Sequence, residues 1–171
     1  MNNVTRLALV AACAIVLSAC ARQVREEPQP APVAEAVTPP AAPVVDDGRF
    51  GPEDLDTNPC LMQRTVLFDF DKDVVRPEFQ AIVACHARYL QDRPEARVTL
   101  EGNADERGSR EYNLALGERR GNAVMGALQA AGGSAGQITV VSYGEERPVC
   151  TESTESCWQQ NRRVEIVYTA R

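Results

Sequence analysis

Between Glu101 and Arg120 the chain reads EGNADERGSREYNLALGERR, and no other stretch limits the available folds as much. Arg97 to Glu101 (RVTLE) is a short β-rich strand. A polar loop carrying Asp105 and Arg107 follows, and Ser109 can cap a helix that runs to about Ala131 and stops at Gly132 and Gly133. Inside that helix stand Gly117 and Gly121. Each costs about 1 kcal/mol against Ala, so a packing reason is expected, namely a backbone lying close on a sheet. At about 100° per residue, Leu114, Gly121, Val124 and Leu128 form the buried stripe. Arg119 lies about 160° from Gly121 and faces water. Arg120 lies about 100° away, on the stripe's flank with Asn113 and Leu116, where it either faces a groove or makes an ordinary salt bridge to Asp105 or Glu101.

The segments around this unit extend the pattern. Thr65 to Phe70 (TVLFDF) is a strand. Pro77 opens a helix that runs to Asp92, with Phe79, Ile82, Val83, His86 and Leu90 at helical spacing. Gln137 to Tyr143 and Arg163 to Thr169 are further strands. Strand, helix, strand, helix, strand gives right-handed βαβ units with parallel neighbours, and the last strand can join antiparallel. The expected class is α/β in the broad sense, an α+β sandwich: one mixed sheet with helices on one face.

Residues 1–19 do not belong to this domain. Arg6 precedes the apolar run Leu7 to Leu17, with small residues after it, as in a secretory signal. The run is shorter than the roughly 20 residues that span a bilayer. Leu17-Ser18-Ala19-Cys20 resembles the lipobox of bacterial lipoproteins, which implies that Cys20 becomes the first residue and carries lipid. Ala21 stands where an Asp would favour the inner membrane, so the resemblance implies the outer membrane. Several acyl chains, at about 0.8 kcal/mol per buried methylene, make such an anchor nearly permanent. Residues 20–59 then form the lipidated end and a Pro-rich tether, with Pro28, Pro30, Pro32, Pro39, Pro40 and Pro43. Stretched, it reaches on the order of 100 Å. The globular domain is expected over residues 60–171.

Without residues 1–19 the chain has 17 basic and 24 acidic side chains, net −7. That surface repels phosphate backbones, so no nucleic-acid partner is expected. Cys60, Cys85, Cys150 and Cys157 remain for the domain, an even number in an exported chain, so disulfides are the default. Four cysteines allow three pairings. Cys60–Cys85 with Cys150–Cys157 is favoured, and zinc is the weaker alternative because CxxC spacing is missing.

Ligands of parallel sheets bind at the carboxyl ends of strands. Phe70 and Asp71 leave the first strand there, and Asn103, Asp105 and Arg107 leave the second. Asp71, Asp105, Arg107, Asn113 and Arg120 therefore converge. An arginine offers a bidentate fork to a carboxylate and an aspartate accepts from an ammonium, so the set suits a zwitterion. The alternatives are an enzyme, a calcium site and a scaffold that binds only proteins. Carboxylates for glycoside hydrolysis exist, but nothing fixes their separation. His86 falls on the apolar face of its helix, which leaves no triad. Asp69, Asp71 and Asp73 begin like an EF-hand loop, but Val74 and Gln80 stand where Gly and Glu are required. No metal or other cofactor is expected.

The runs FDFDK (68–72), GNADERGS (102–109), EYNLALGERR (111–120), SYGEERP (142–148) and NRRVEI (161–166) resemble the peptidoglycan-binding carboxyl-terminal domain of outer-membrane protein A. The similarity is greatest to the lipid-anchored branch of that family in Gram-negative bacteria. It implies a βαβαβ-β domain, no catalysis, and noncovalent binding of the peptide stem of the cell wall. In the family an Asp at the place of Asp105 and an Arg at the place of Arg120 hold the distal end of meso-diaminopimelate. Phe70, Asp71, Arg107, Asn113 and Leu116 line the same groove. The resemblance also implies docking to TolB within the Tol–Pal system, which keeps the outer membrane attached during division. One departure is Asn103, where close relatives often have His. The four domain cysteines are not part of the family pattern.

Overall fold

A computed structural model describes residues 48–171. The expected signal segment, the lipid site Cys20 and most of the Pro-rich tether lie outside the described residues. The elements are α1 (Asp54–Thr57), α2 (Pro59–Met62), β1 (Thr65–Leu67), α3 (Gln80–Asp92), β2 (Arg97–Asn103), α4 (Arg110–Ala130), β3 (Ile138–Gly144), α5 (Glu155–Asn161) and β4 (Arg163–Ala170). A 3₁₀ turn, Pro77–Phe79, leads into α3.

The sheet has four strands in the order β1-β4-β2-β3. β2 and β3 are parallel neighbours, as a right-handed crossover through α4 requires. The expected adjacency of β1 and β2 is corrected: β4 lies between them, antiparallel to both. The β1-α3-β2 crossover is thus a split βαβ unit. Its gap takes a strand with apolar Val164 and Ile166 on the core side, which pair with Gly102 and Leu100 of β2.

The core lies between one face of the sheet and the two long helices. Val66, Val98, Leu100, Ile138, Val164 and Ile166 of the strands meet Val83 and Leu90 of α3, and Val124 and Leu128 of α4. The glycines of α4 have the expected packing reason. A Cβ on Gly117 would stand 2.3 Å from Ser142 Oγ, and one on Gly121 would stand 2.5 Å from Val140 Cγ1. Gly102 of β2 completes the contact, since a Cβ there would lie 1.9 Å from the Gly117 carbonyl oxygen. Helix and sheet touch backbone to backbone. Leu114 is a correction: it is 47% exposed rather than part of the buried stripe. Its carbonyl accepts from Ser142 Oγ at 2.6 Å, so its backbone rather than its side chain makes the contact with β3.

The folded unit also begins before residue 60. Leu55 of α1 and Leu61 of α2 are fully buried. Asn58 caps α2 through Cys60 N at 3.0 Å, and Pro59 is at its first turn. Upstream, Phe50 N donates to Asp92 Oδ2 at 3.1 Å and its ring lies near Tyr89. The chain therefore comes in beside the end of α3, where β2 is about to start. The disulfides are Cys60–Cys85, joining α2 to α3, and Cys150–Cys157, closing the loop before β4.

His86 is the core residue that its helical position indicated. It is wholly buried, with Nε2 donating to the Gln63 carbonyl at 2.9 Å and Nδ1 2.9 Å from Tyr168 Oη, which donates. Burial holds the imidazole pKa below its ordinary 6.5. As pH falls, the unfolded chain takes this proton before the folded one does. His86 therefore contributes its full stability above about 6.5 and loses it as pH falls from there toward the folded pKa. It is the only histidine. NMR titration of its ring protons should give a midpoint below 6.5 in the folded protein and near 6.5 in urea. A folded-state midpoint above that value would contradict the buried arrangement.

Candidate functional site

β1 pairs only as far as Leu67, short of the expected Phe70. Beyond it, buried arginines replace the ladder. Phe68 N still reaches the Arg162 carbonyl at 2.9 Å. The Phe68 carbonyl accepts from Arg162 Nε at 3.1 Å and Gln159 Nε2 at 3.0 Å. The next carbonyls belong to Arg120, which is 0% exposed. Its Nη2 donates to Asp69 O at 3.2 Å, its Nε to Lys72 O at 2.8 Å and its Nη1 to Asn103 O at 2.9 Å. One guanidinium thus binds the ends of β1 and β2 to α4. The loop it holds turns at Asp71, the only non-glycine with positive φ among the described residues. That strain is stored at a loop tip that arginine contacts over-determine.

This framework opens a cavity of about 230 Å³ at the carboxyl ends of β1 and β2. Phe70, Asp71, Asp105, Arg107, Asn113, Leu116 and Arg120 all line it, so every expected side chain of the groove stands at one place. Asn103 lies beneath: its carbonyl accepts from Arg120, and its Nδ2 donates to Glu101 O at 2.9 Å. Arg119 turns away and pairs with Asp73 at 3.0 Å.

The charges are partnered differently from a simple facing pair. Asp105 makes no ion pair with Arg120. Its Oδ1 accepts from Arg107 N at 3.1 Å and Nε at 3.3 Å. Its Oδ2 accepts from Arg107 Nη2 at 2.7 Å and Arg162 Nη1 at 3.0 Å. Burial pushes the Asp105 carboxyl up, but the hydrogen bonds from Arg107 and Arg162 outweigh it, and the net shift is below the ordinary range. Burial pushes Arg120 down to about 10, with Asp105 opposing, so it stays charged at neutral pH. Arg107 lies between two rings, its guanidinium carbon 4.1 Å from the Phe70 centroid and 4.2 Å from that of Trp158. Its Nη1 also reaches Glu155 Oε2 at 3.3 Å.

Three lining residues were not singled out from sequence: Gly108, Tyr112 and Arg162. Gly108 has φ +113°, which explains the glycine there. Tyr112 Oη donates to Asp71 Oδ1. Arg162 belongs to the NRR run, whose signal was visible only as similarity. The three aspartates of the calcium alternative go to different partners: Asp69 to Arg76, Asp71 to Tyr112 and Asp73 to Arg119. Among the described residues no group of His, Cys, Asp and Glu is arranged to hold a metal ion.

A parallel β2–β3 pair, an inserted antiparallel strand and an acid–arginine pocket at the strand ends define a recognisable domain. Residues 67–162 match the OmpA family, and the chain belongs to it. A peptidoglycan-associated lipoprotein of Pasteurella multocida is 37% identical over 168 residues, covering 98% of this chain and 100% of that protein. Another, from Pseudomonas putida, is 51% identical over 102 residues, 60% of this chain and 61% of that one. The crystal structure of the peptidoglycan-associated lipoprotein from Burkholderia pseudomallei matches with a TM-score of 0.66 at 44% identity, covering 68% of this chain and 98% of that one.

Proposed function

We propose that this protein is a lipid-anchored outer-membrane component, held through Cys20 on the periplasmic face, that binds peptidoglycan noncovalently and without catalysis. The ligand is the meso-diaminopimelate stem peptide. The protein works in the Tol–Pal system, docks to TolB, and links the outer membrane to the wall during cell division. The observation that carries the reading is the pocket: three guanidiniums, Arg107, Arg120 and Arg162, meet two carboxylates, Asp71 and Asp105, around one cavity. The relatives named for their association with peptidoglycan support it.

The ligand's two charged ends use different walls. Arg120 gives three of its five N–H groups to backbone carbonyls, which leaves two for a carboxylate. All four acceptor positions of Asp105 are filled within the protein. The weakest contact is Arg107 Nε at 3.3 Å, and a ligand ammonium displaces that one. Asp71 uses Oδ1 for Tyr112 and offers Oδ2 to the same ammonium. The lining holds one more cation than anion, so a ligand whose carboxylates outnumber its ammonium fits best.

Calorimetric titration with two synthetic stem peptides tests this. One ends in meso-diaminopimelate; the other has lysine there and lacks the side-chain carboxylate. The first should bind at least about tenfold more tightly, since a charge-assisted pair contributes about 1.5–3 kcal/mol. Equal affinity, or no binding of either, would overturn the reading.

A further inference from the structure

Behind Arg107, outside the lining of the cavity, stands α5, and its two halves are held in different ways. The carboxyl-terminal half is tied by side chains to backbone. Gln159 donates to Phe68 O, and Asn161 Oδ1 accepts from Val149 N at 2.9 Å and Cys150 N at 3.1 Å. Asn161 Nδ2 returns to Cys150 O at 2.7 Å. The amino-terminal half has the Thr154 cap, the Cys150–Cys157 disulfide, the Glu155 carboxylate held by Arg162 Nη2 at 2.7 Å, and a hydrogen bond from Trp158 Nε1 to the exposed Glu106 at 3.0 Å. This half carries Glu155 and Trp158, the two residues that contact Arg107 from outside. The other disulfide joins α2 to α3, whereas the side chains that hold Arg107 belong to Asp105, Phe70, Glu155 and Trp158.

We propose that the Cys150–Cys157 disulfide is a redox-sensitive latch on the ligand pocket. Closed, it holds Trp158 on Arg107, so that Arg107 stays stacked against Phe70 and fixed on Asp105. Open, it frees the first turns of α5, the stack loosens and the ligand is held less well. The inference rests on the reading of this pocket as the stem-peptide site. The step is thiol–disulfide exchange with a dithiol. A thiolate of the dithiol attacks Cys150 Sγ, since Cys150 is partly exposed and Cys157 is 1% exposed. Cys157 leaves as thiolate and is protonated. The second thiol then resolves the mixed disulfide, giving two cysteine thiols and the oxidised dithiol. Asn161 keeps the loop attached throughout, so opening the latch does not unfold the domain.

The test uses the full chain carrying Cys60→Ser and Cys85→Ser, so that a dithiol acts on the latch alone. Two quantities are followed: affinity for the diaminopimelate stem peptide, and the Arg107 Nε–H resonance, displaced by the flanking rings. Reduction should lower affinity about five- to tenfold, the value of a lost cation–π contact. It should also move the Arg107 resonance toward that of an unstacked arginine, with the far-UV circular dichroism unchanged. Trp158, the only tryptophan, reports the same opening by its emission. Trp158→Ala should reproduce the reduced state in an oxidised protein, and Trp158→Phe should restore most of the affinity. An unmoved Arg107 resonance, or a moved one with equal or higher affinity, overturns the latch. If the oxidised protein binds no stem peptide at all, the ligand reading fails instead. The resonance then decides the latch alone: movement on reduction supports it, and no movement overturns it.

Discussion

Asp105→Asn should lower affinity for the diaminopimelate stem peptide by about a hundredfold or more, in a protein that still folds. Asn keeps the shape but removes the buried charge that faces both Arg107 and Arg162, leaving them only the exposed Glu155. Binding suffers twice. The ligand ammonium loses its counter-charge, and Arg107 loses the 2.7 Å contact that orients it. Two buried or charge-assisted contacts at about 1.5–3 kcal/mol each account for that factor. Stability also falls, because the Arg162 side chain is 3% exposed and keeps only Glu155 as a counter-charge. A loss of about 2–3 kcal/mol is expected, below the full cost of breaking a buried pair. The wild-type carboxyl has a lowered pKa, so its contribution is present above the ordinary Asp value of about 3.9 and is lost as pH falls through the folded value. Titration with the peptide, beside thermal melting of the same sample, separates the two effects. A folded Asp105→Asn protein that binds like wild type would remove Asp105 from the site.

Arg120→Met should give the largest stability loss of any single change in the pocket, on the order of 4–5 kcal/mol. A buried charge replaced by a hydrophobe is often harmless when its partners are replaced as well. Here the partners are the carbonyls of Asp69, Lys72 and Asn103, and they cannot be removed. The Asn103 carbonyl is buried and those of Lys72 and Asp69 are half-buried, the last keeping Lys72 N as a donor; a buried acceptor left without a donor costs about 1–3 kcal/mol. Against a total of about 5–15 kcal/mol, such a loss leaves the domain close to unfolding. Arg120→Lys retains one or two of the contacts and should lose about half as much. The urea midpoint of each variant measures it. A midpoint near wild type for Arg120→Met would show that the guanidinium does not hold the loop.

These two residues also mark how far the sequence could be read. The helical angles of α4 put Arg120 on a groove and Arg119 in water because a long helix keeps its phase. The same angles misplaced Leu114, since the glycine contact brings the helix backbone so close to β3 that no side chain fits between. The convergence of Phe70, Asp71 and Asp105 followed from strand ends alone. The partners of Asp105 did not. Arg162 lies 57 residues away, just ahead of a strand whose insertion between β1 and β2 is a tertiary event. Its run of charged residues carries no local period that would mark it as buried. Trp158 was passed over for the same reason: its contact with Arg107 depends on where α5 docks.

The chain comes in beside Phe50 and Asp92, near the start of β2, while the cavity opens beyond the far end of that strand. Seven residues of strand separate the two, about 20 Å. A molecule fixed to a membrane at one end and to a wall at the other would be pulled along its strands. The inter-strand hydrogen bonds lie across that direction and would resist sliding together, in shear, instead of opening one after another like a zip.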